Sequence, residues 1–124
     1  MKYCFSAQLD LAKLQEFYDG DPRLAVGVFE AFVQETVTAL PHLDQLYLAD
    51  NVAELRRLVH KIKPGFLYVG LTSLYEKLNE LELVCEQADQ GAGIGSIFGD
   101  LSQKLKTEIP WVENELLRLK LNVQ

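Results

Sequence analysis

The chain has 124 residues, is 48% hydrophobic and 24% charged, and carries a formal net charge of −6, which fits one globular domain with one continuous core. An acidic chain is a poor match for phosphate backbones, so nucleic-acid binding is not expected, and no run approaches the roughly 18 apolar residues of a membrane span. The start, MKYCFSAQLD, has one Lys and no long apolar run, so no signal peptide is expected. Cys4 and Cys85 stand far apart with no CxxC pair, which points to reduced thiols, a cytoplasmic protein and no zinc site.

Strand signals are weak and helical periodicity divides the chain into segments. The first runs from about Asp10 to Tyr18 and ends at Asp19-Gly20, where Gly20 suits a left-handed cap. The second opens with Asp21-Pro22, an N-cap acceptor followed by proline at the first helical position, and continues to about Ala49. Its apolar stripe is read as Leu24, Val28, Phe32, Leu40, Leu43 and Tyr47, and Pro41 should bend it or remove one hydrogen bond.

Asp50 or Asn51 caps the third segment, whose stripe is Leu55, Leu58, Val59, Ile62, Phe66 and Val69, ending near Gly70. Thr72 or Ser73 is the expected cap of the fourth, which carries Leu74, Leu78, Leu81 and Cys85 on one face and fades into GAGIG. The fifth begins near Ser96, with Phe98, Leu101, Leu105, Val112, Leu116 and Leu119 on its stripe and Pro110 inside it. Four long amphipathic segments with short connections predict an all-α, antiparallel, up-and-down four-helix bundle with a short additional N-terminal helix.

The charge is uneven. From Leu55 to Tyr75 there is no Asp or Glu, and the same window holds Arg56, Arg57, Lys61 and Lys63 around His60. Such a basic island predicts docking of something negatively charged. On a helical wheel His60 falls about 140° from the centre of the apolar stripe, facing outward beside Arg56, Lys63 and Leu67. A neutral exposed imidazole is a competent nucleophile toward phosphorus. On chemistry alone, however, a lone surface histidine among cations is more often an ordinary solvated face.

The residues around it change that balance. VHKIKPGFLYVGL resembles the signature of histidine-containing phosphotransfer (HPt) domains: a His on a bundle helix, a Lys three residues on, and a Gly ten residues on followed by an apolar residue. Here these are His60, Lys63, Gly70 and Leu71. The resemblance extends from about Leu9 to Leu119. It implies a phosphocarrier of a two-component phosphorelay, with no ATP site and no cofactor of its own. His60 would accept a phosphoryl group from a receiver-domain aspartate and pass it to another receiver. It further implies that Lys63 stabilises the phosphoryl oxygens and that Gly70 lets the helix end pack closely. A polar residue of the next helix, Glu82 or another of Glu76–Glu86, would stand near the histidine.

The partners so implied are receiver domains of response regulators or hybrid histidine kinases, which supply the aspartate and its Mg²⁺. Arg56, Arg57 and Lys61 would add positive charge, and Pro64, Leu67 and Phe66 or Tyr68 an apolar docking rim, on a protein that works as a monomer. One departure stands out: many relatives have Gly directly after the Lys, whereas here Pro64 follows and Gly65 is displaced by one. Pro64 cannot donate to the His60 carbonyl, so either a local bend that tilts His60 outward or an altered choice of partner is expected. A non-catalytic bundle that binds receiver-like partners through the same patch is the alternative.

Other signals carry less. GAGIGSIFG lacks a preceding strand and a following Lys-Ser/Thr, so it reads as a flexible connection rather than a phosphate loop. His42 reads as a surface residue, and Trp111 as a packing or rim residue.

Overall fold

A computed structural model describes residues 2–87 and 93–124. It contains five helices, α1 Leu11–Tyr18, α2 Pro22–Leu48, α3 Val52–Tyr68, α4 Thr72–Gln87 and α5 Ile94–Asn122, and no strand among the described residues. α2 packs on α3, α3 on α4, α4 on α5 and α5 back on α2, so chain order runs around the four-helix bundle. The short α1 lies against α2 and α3.

The turns explain why the chain reverses where it does. Asp50 adopts φ 55°, and the amides of Asp50 and Asn51 return to the carbonyls of Tyr47 and Leu46, closing α2. Asn51 Oδ1 then accepts from the Glu54 amide and starts α3. Gly70 at φ 79° ends α3 in the same manner, with Leu71 N–H bonded to the Phe66 carbonyl. The Gly70 carbonyl accepts from Asp10 N–H at 2.8 Å, and a Cβ there would stand 3.0 Å from both Asp10 N and Leu9 Cβ. The close approach at Gly70 is therefore to the segment entering α1 rather than to a bundle helix. Thr72 is not a cap: its hydroxyl is spent on Asp10 Oδ2 at 2.6 Å, while the Leu71 carbonyl takes the first amide bond of α4.

Two expectations shift. The buried face of α2 is Ala25, Phe29, Phe32, Thr36, Ala39 and Leu43, and Leu24 is 58% exposed with Val28 beside it at the surface. The expected stripe favoured large aliphatics, whereas the buried face of α2 interleaves Ala25, Thr36 and Ala39 with Phe29, Phe32 and Leu43. α5 begins at Ile94, two residues before the expected start, so the second half of GAGIGSIFG is helical. Ile94 and Phe98 are buried, and Phe98 stacks on Tyr47 with centroids 4.1 Å apart, which outweighs the poor helix propensity of Gly95 and Gly99. Residues 88–92, which include the first two residues of that segment, lie outside the described residues. α2, α3 and α5 each continue through their internal prolines, Pro41, Pro64 and Pro110.

Candidate functional site

α3 turns Leu55, Val59, Ile62 and Phe66 into the core at steps of four, three and four residues. His60 follows Val59 on the outer side and its side chain is 69% exposed. α4 does the same with Leu74, Leu78, Leu81 and Cys85, and the helix packing brings Tyr75, Asn79, Glu82 and Glu86 alongside α3.

Glu82 is the pivot. Its side chain is only 9% exposed, yet Oε2 lies 2.8 Å from His60 Nδ1 and Oε1 lies 2.7 Å from Lys63 Nζ. Burial pushes the carboxyl up, but the Lys63 and His60 contacts outweigh it and hold Glu82 below the usual carboxylate range. An ionised carboxylate only accepts hydrogen bonds, so Nδ1 carries the hydrogen and donates it. The lone pair of a neutral His60 then sits on Nε2, at the far edge of an exposed ring.

Lys63 is held rather than free. Its ammonium contacts Glu82 Oε1 as an ion pair outside hydrogen-bonding alignment, donates to Asn79 Oδ1 at 2.9 Å, and lies 5.9 Å from the Tyr75 ring centroid. Arg56 pairs with Glu86 at 3.2 Å and Arg57 with Glu54 at 2.6 Å. The basic island is thus largely matched by carboxylates, most of them on α4, which a linear window along α3 does not contain. Among the described residues Lys61 has no carboxylate within ion-pair distance.

Three further expected site residues, Lys61, Pro64 and Tyr68, fall on the other side of α3. Lys61, Pro64, Gly65 and Tyr68 line a groove with Gly27 and Ala31 of α2. Pro64 and Tyr68 are exposed there, and Leu67 is half-buried. Phe66 is not part of any rim: it is fully buried, edge-on to Phe32 with centroids 4.9 Å apart. Gly65 faces the same ring, and a Cβ on it would stand 3.2 Å from Phe32 Cδ1, so this glycine serves the approach of α2 to α3. His42 is exposed on α2, and Trp111 is half-buried against the core.

Asn79, Tyr75 and Glu86 were not singled out from sequence. Their four- and three-residue spacing around Glu82 is the signal that places them together on α4. Among the described residues no group of three or more His, Cys, Asp or Glu side chains is arranged to hold a metal ion.

A family profile, the Hpt domain, matches residues 27–118. The chain belongs to the Hpt domain family. The match runs from within α2 to near the end of α5, so it takes in the bundle and the whole His60–Lys63–Glu82 cluster and leaves α1 outside. As an Hpt domain the protein is a histidine phosphocarrier of two-component phosphorelay signalling. No curated protein and no solved structure matches the chain. No helix among the described residues of this Hpt domain is long and apolar enough to cross a membrane.

Proposed function

We propose that His60 is the phosphoacceptor, taking its phosphoryl group from the aspartyl phosphate of one receiver domain and passing it to the aspartate of another. The observation that carries this reading is the Glu82 contact: a carboxylate 2.8 Å from Nδ1 favours the hydrogen on that nitrogen, which would leave the Nε2 lone pair to act as the nucleophile. In the forward step the Nε2 lone pair forms the N–P bond. The P–O bond to the receiver aspartate breaks, and its electron pair returns to that carboxylate. The Nδ1 proton stays in its hydrogen bond to Glu82, which offsets the positive charge the ring acquires. Return to a second aspartate reverses each of these movements.

Lys63 supplies positive charge to the phosphoryl oxygens. One cation at about 5 Å, with an effective dielectric between 20 and 80, contributes roughly 1–3 kcal/mol per unit charge, enough to tune an exchange between two phosphorylated forms. Arg56, Arg57 and Lys61 extend the field, and Pro64, Leu67 and Tyr68 form the apolar part of the docking surface beside the α2–α3 groove. The partners in this reading are receiver domains of response regulators or hybrid histidine kinases. They bring the aspartate and the Mg²⁺ of the reaction to a carrier that acts as a monomer without an ATP site. Its two unpaired cysteines accord with a reducing, cytoplasmic setting.

The test is transfer from a labelled, phosphorylated receiver to the wild-type chain and to His60→Gln. Acid-labile, base-stable label on the wild type alone is expected. Label retained on His60→Gln would overturn the assignment. Binding to receivers without any label would favour a non-catalytic binder.

A further inference from the structure

We propose that Asn79 is a positioning residue for the transfer, holding the Lys63 ammonium on Oε1 of Glu82 until the phosphoryl group arrives to claim it. This inference rests on the reading of His60 as phosphoacceptor.

The Lys63 ammonium has three hydrogens and meets three surfaces of graded strength. These are Glu82 Oε1 at 2.7 Å, Asn79 Oδ1 at 2.9 Å and the face of Tyr75 at 5.9 Å. With its side chain only 14% exposed, Lys63 has little water to turn to. Glu82 must divide its two oxygens, Oε2 for the imidazole and Oε1 for the ammonium. An ammonium free to centre on the carboxylate would compete with the Nδ1–H for Oε2 and release the ring from its tautomer. Asn79 stands three residues before Glu82 on α4, takes a second hydrogen of the ammonium, and so limits its freedom to centre on the carboxylate.

The neutrality of Asn79 matters as much as its place. A phosphoryl group on His60 brings negative charge to the side of the carboxylate that Lys63 shares. A neutral amide oxygen yields its hydrogen bond to that group readily, whereas a second carboxylate would retain the ammonium and repel the phosphoryl oxygens. The exchange needs only a change of hydrogen-bond partner by a side chain with a flexible stem.

Single-turnover transfer from a phosphorylated receiver, followed over a range of receiver concentrations, tests this in the full chain. Asn79→Ala should lower the limiting rate about tenfold, the lower end of what a hydrogen bond from a charged donor is worth, with the half-saturating concentration unchanged. Asn79→Asp should lower it further. In a Lys63→Met background Asn79→Ala should have no additional effect. In the unphosphorylated protein, ¹⁵N NMR of Asn79→Ala should show His60 losing its Nδ1–H preference. An unchanged limiting rate, an equal effect in the Lys63→Met background, or an effect confined to the half-saturating concentration would overturn the proposal. The NMR measurement involves no receiver. An unchanged tautomer therefore overturns this inference even where wild type accepts label, and failure of wild type to accept label concerns the phosphoacceptor reading instead.

Discussion

Glu82 follows His60 by 22 residues, yet its Oε2 lies 2.8 Å from the imidazole Nδ1 while the rest of its carboxylate is buried against α3. Replacing it separates charge from hydrogen bonding. Glu82→Gln keeps an oxygen acceptor for Nδ1 but removes the charge that balances the phosphorylated ring, and transfer should slow roughly tenfold, equivalent to about 1.4 kcal/mol. Glu82→Ala removes both and should slow it further. Stopped transfer assays on phosphorylated receiver give the rates, and ¹⁵N NMR of His60 should show the Nδ1–H tautomer kept in Gln and lost in Ala. Equal rates in all three proteins would exclude a role for this carboxylate.

Lys63 is more deeply packed than a surface cation, and its loss strands a mostly buried carboxylate. Lys63→Ala should slow transfer and also destabilise the bundle by about 1–3 kcal/mol, below the cost of breaking a fully buried pair. A normal helical circular dichroism spectrum with a lowered urea midpoint is the expected outcome. Complete unfolding would mean that Lys63 belongs to the core, and an unchanged midpoint that its ion pair contributes nothing.

Acid should act on the same contacts. Glu82 is held below its ordinary range by Lys63 and His60 against the opposing effect of burial, and Asp10 is held below its own by the Thr72 hydroxyl and the Lys13 amide. For both, the native state binds its proton less readily than the unfolded chain. The stability they contribute is therefore complete above the ordinary carboxylate range and is lost as pH falls through it to the lower folded values. Urea unfolding should give a flat stability between about pH 6 and 7 and a decline below about pH 4.5. Thr72→Val should make the decline shallower, since it removes the leading cause of the Asp10 shift.

Much of this arrangement is legible in one dimension, and the parts that are not share a cause. The outward position of His60 follows from α3's own periodicity, because Leu55, Val59, Ile62 and Phe66 fix which side is inside. The helix count follows from stripes and turn residues in the same way, with Asp50 and Gly70 marking two reversals. What crosses between helices is not written along either one. The carboxylates that meet Arg56 and Lys63 come from α4, and Gly65 is small because Phe32 of α2 leans on it. Leu24 reads as part of a stripe because hydrophobicity alone ranks it above Ala25, whereas α2 turns Ala25 and Phe29 into the core and leaves Leu24 exposed.

The same logic gives a prediction for Gly70. Its φ of 79° is one that side chains rarely adopt, and a Cβ there would press on Asp10 N and Leu9 Cβ at 3.0 Å. Two costs coincide, strain in the turn and a clash with the segment that leads into α1. Gly70→Ala should lower stability by about 1–3 kcal/mol. Hydrogen exchange should quicken first at the Asp10 amide, whose acceptor is the Gly70 carbonyl. Unaltered exchange at Asp10 together with a large loss of stability would place the damage in the α3–α4 turn alone.

Pro64 offers the sharpest separation of stability from function. It lies inside α3, exposed, four residues after His60, so the His60 carbonyl has no amide to accept from within the helix. Pro64→Ala restores that hydrogen bond, and because proline in a helix interior costs up to about 3 kcal/mol relative to alanine, the variant should be the more stable protein. Its backbone at His60 should also tighten, drawing the imidazole nearer the helix axis and removing an apolar ring from the edge of the α2–α3 groove. Higher thermal stability with slower transfer would mean that the proline is kept for presenting His60 to its partner. Higher stability with unchanged transfer would mean that the acceptor's geometry is set wholly by Glu82. Lower stability would show that α3 has been built around the missing hydrogen bond.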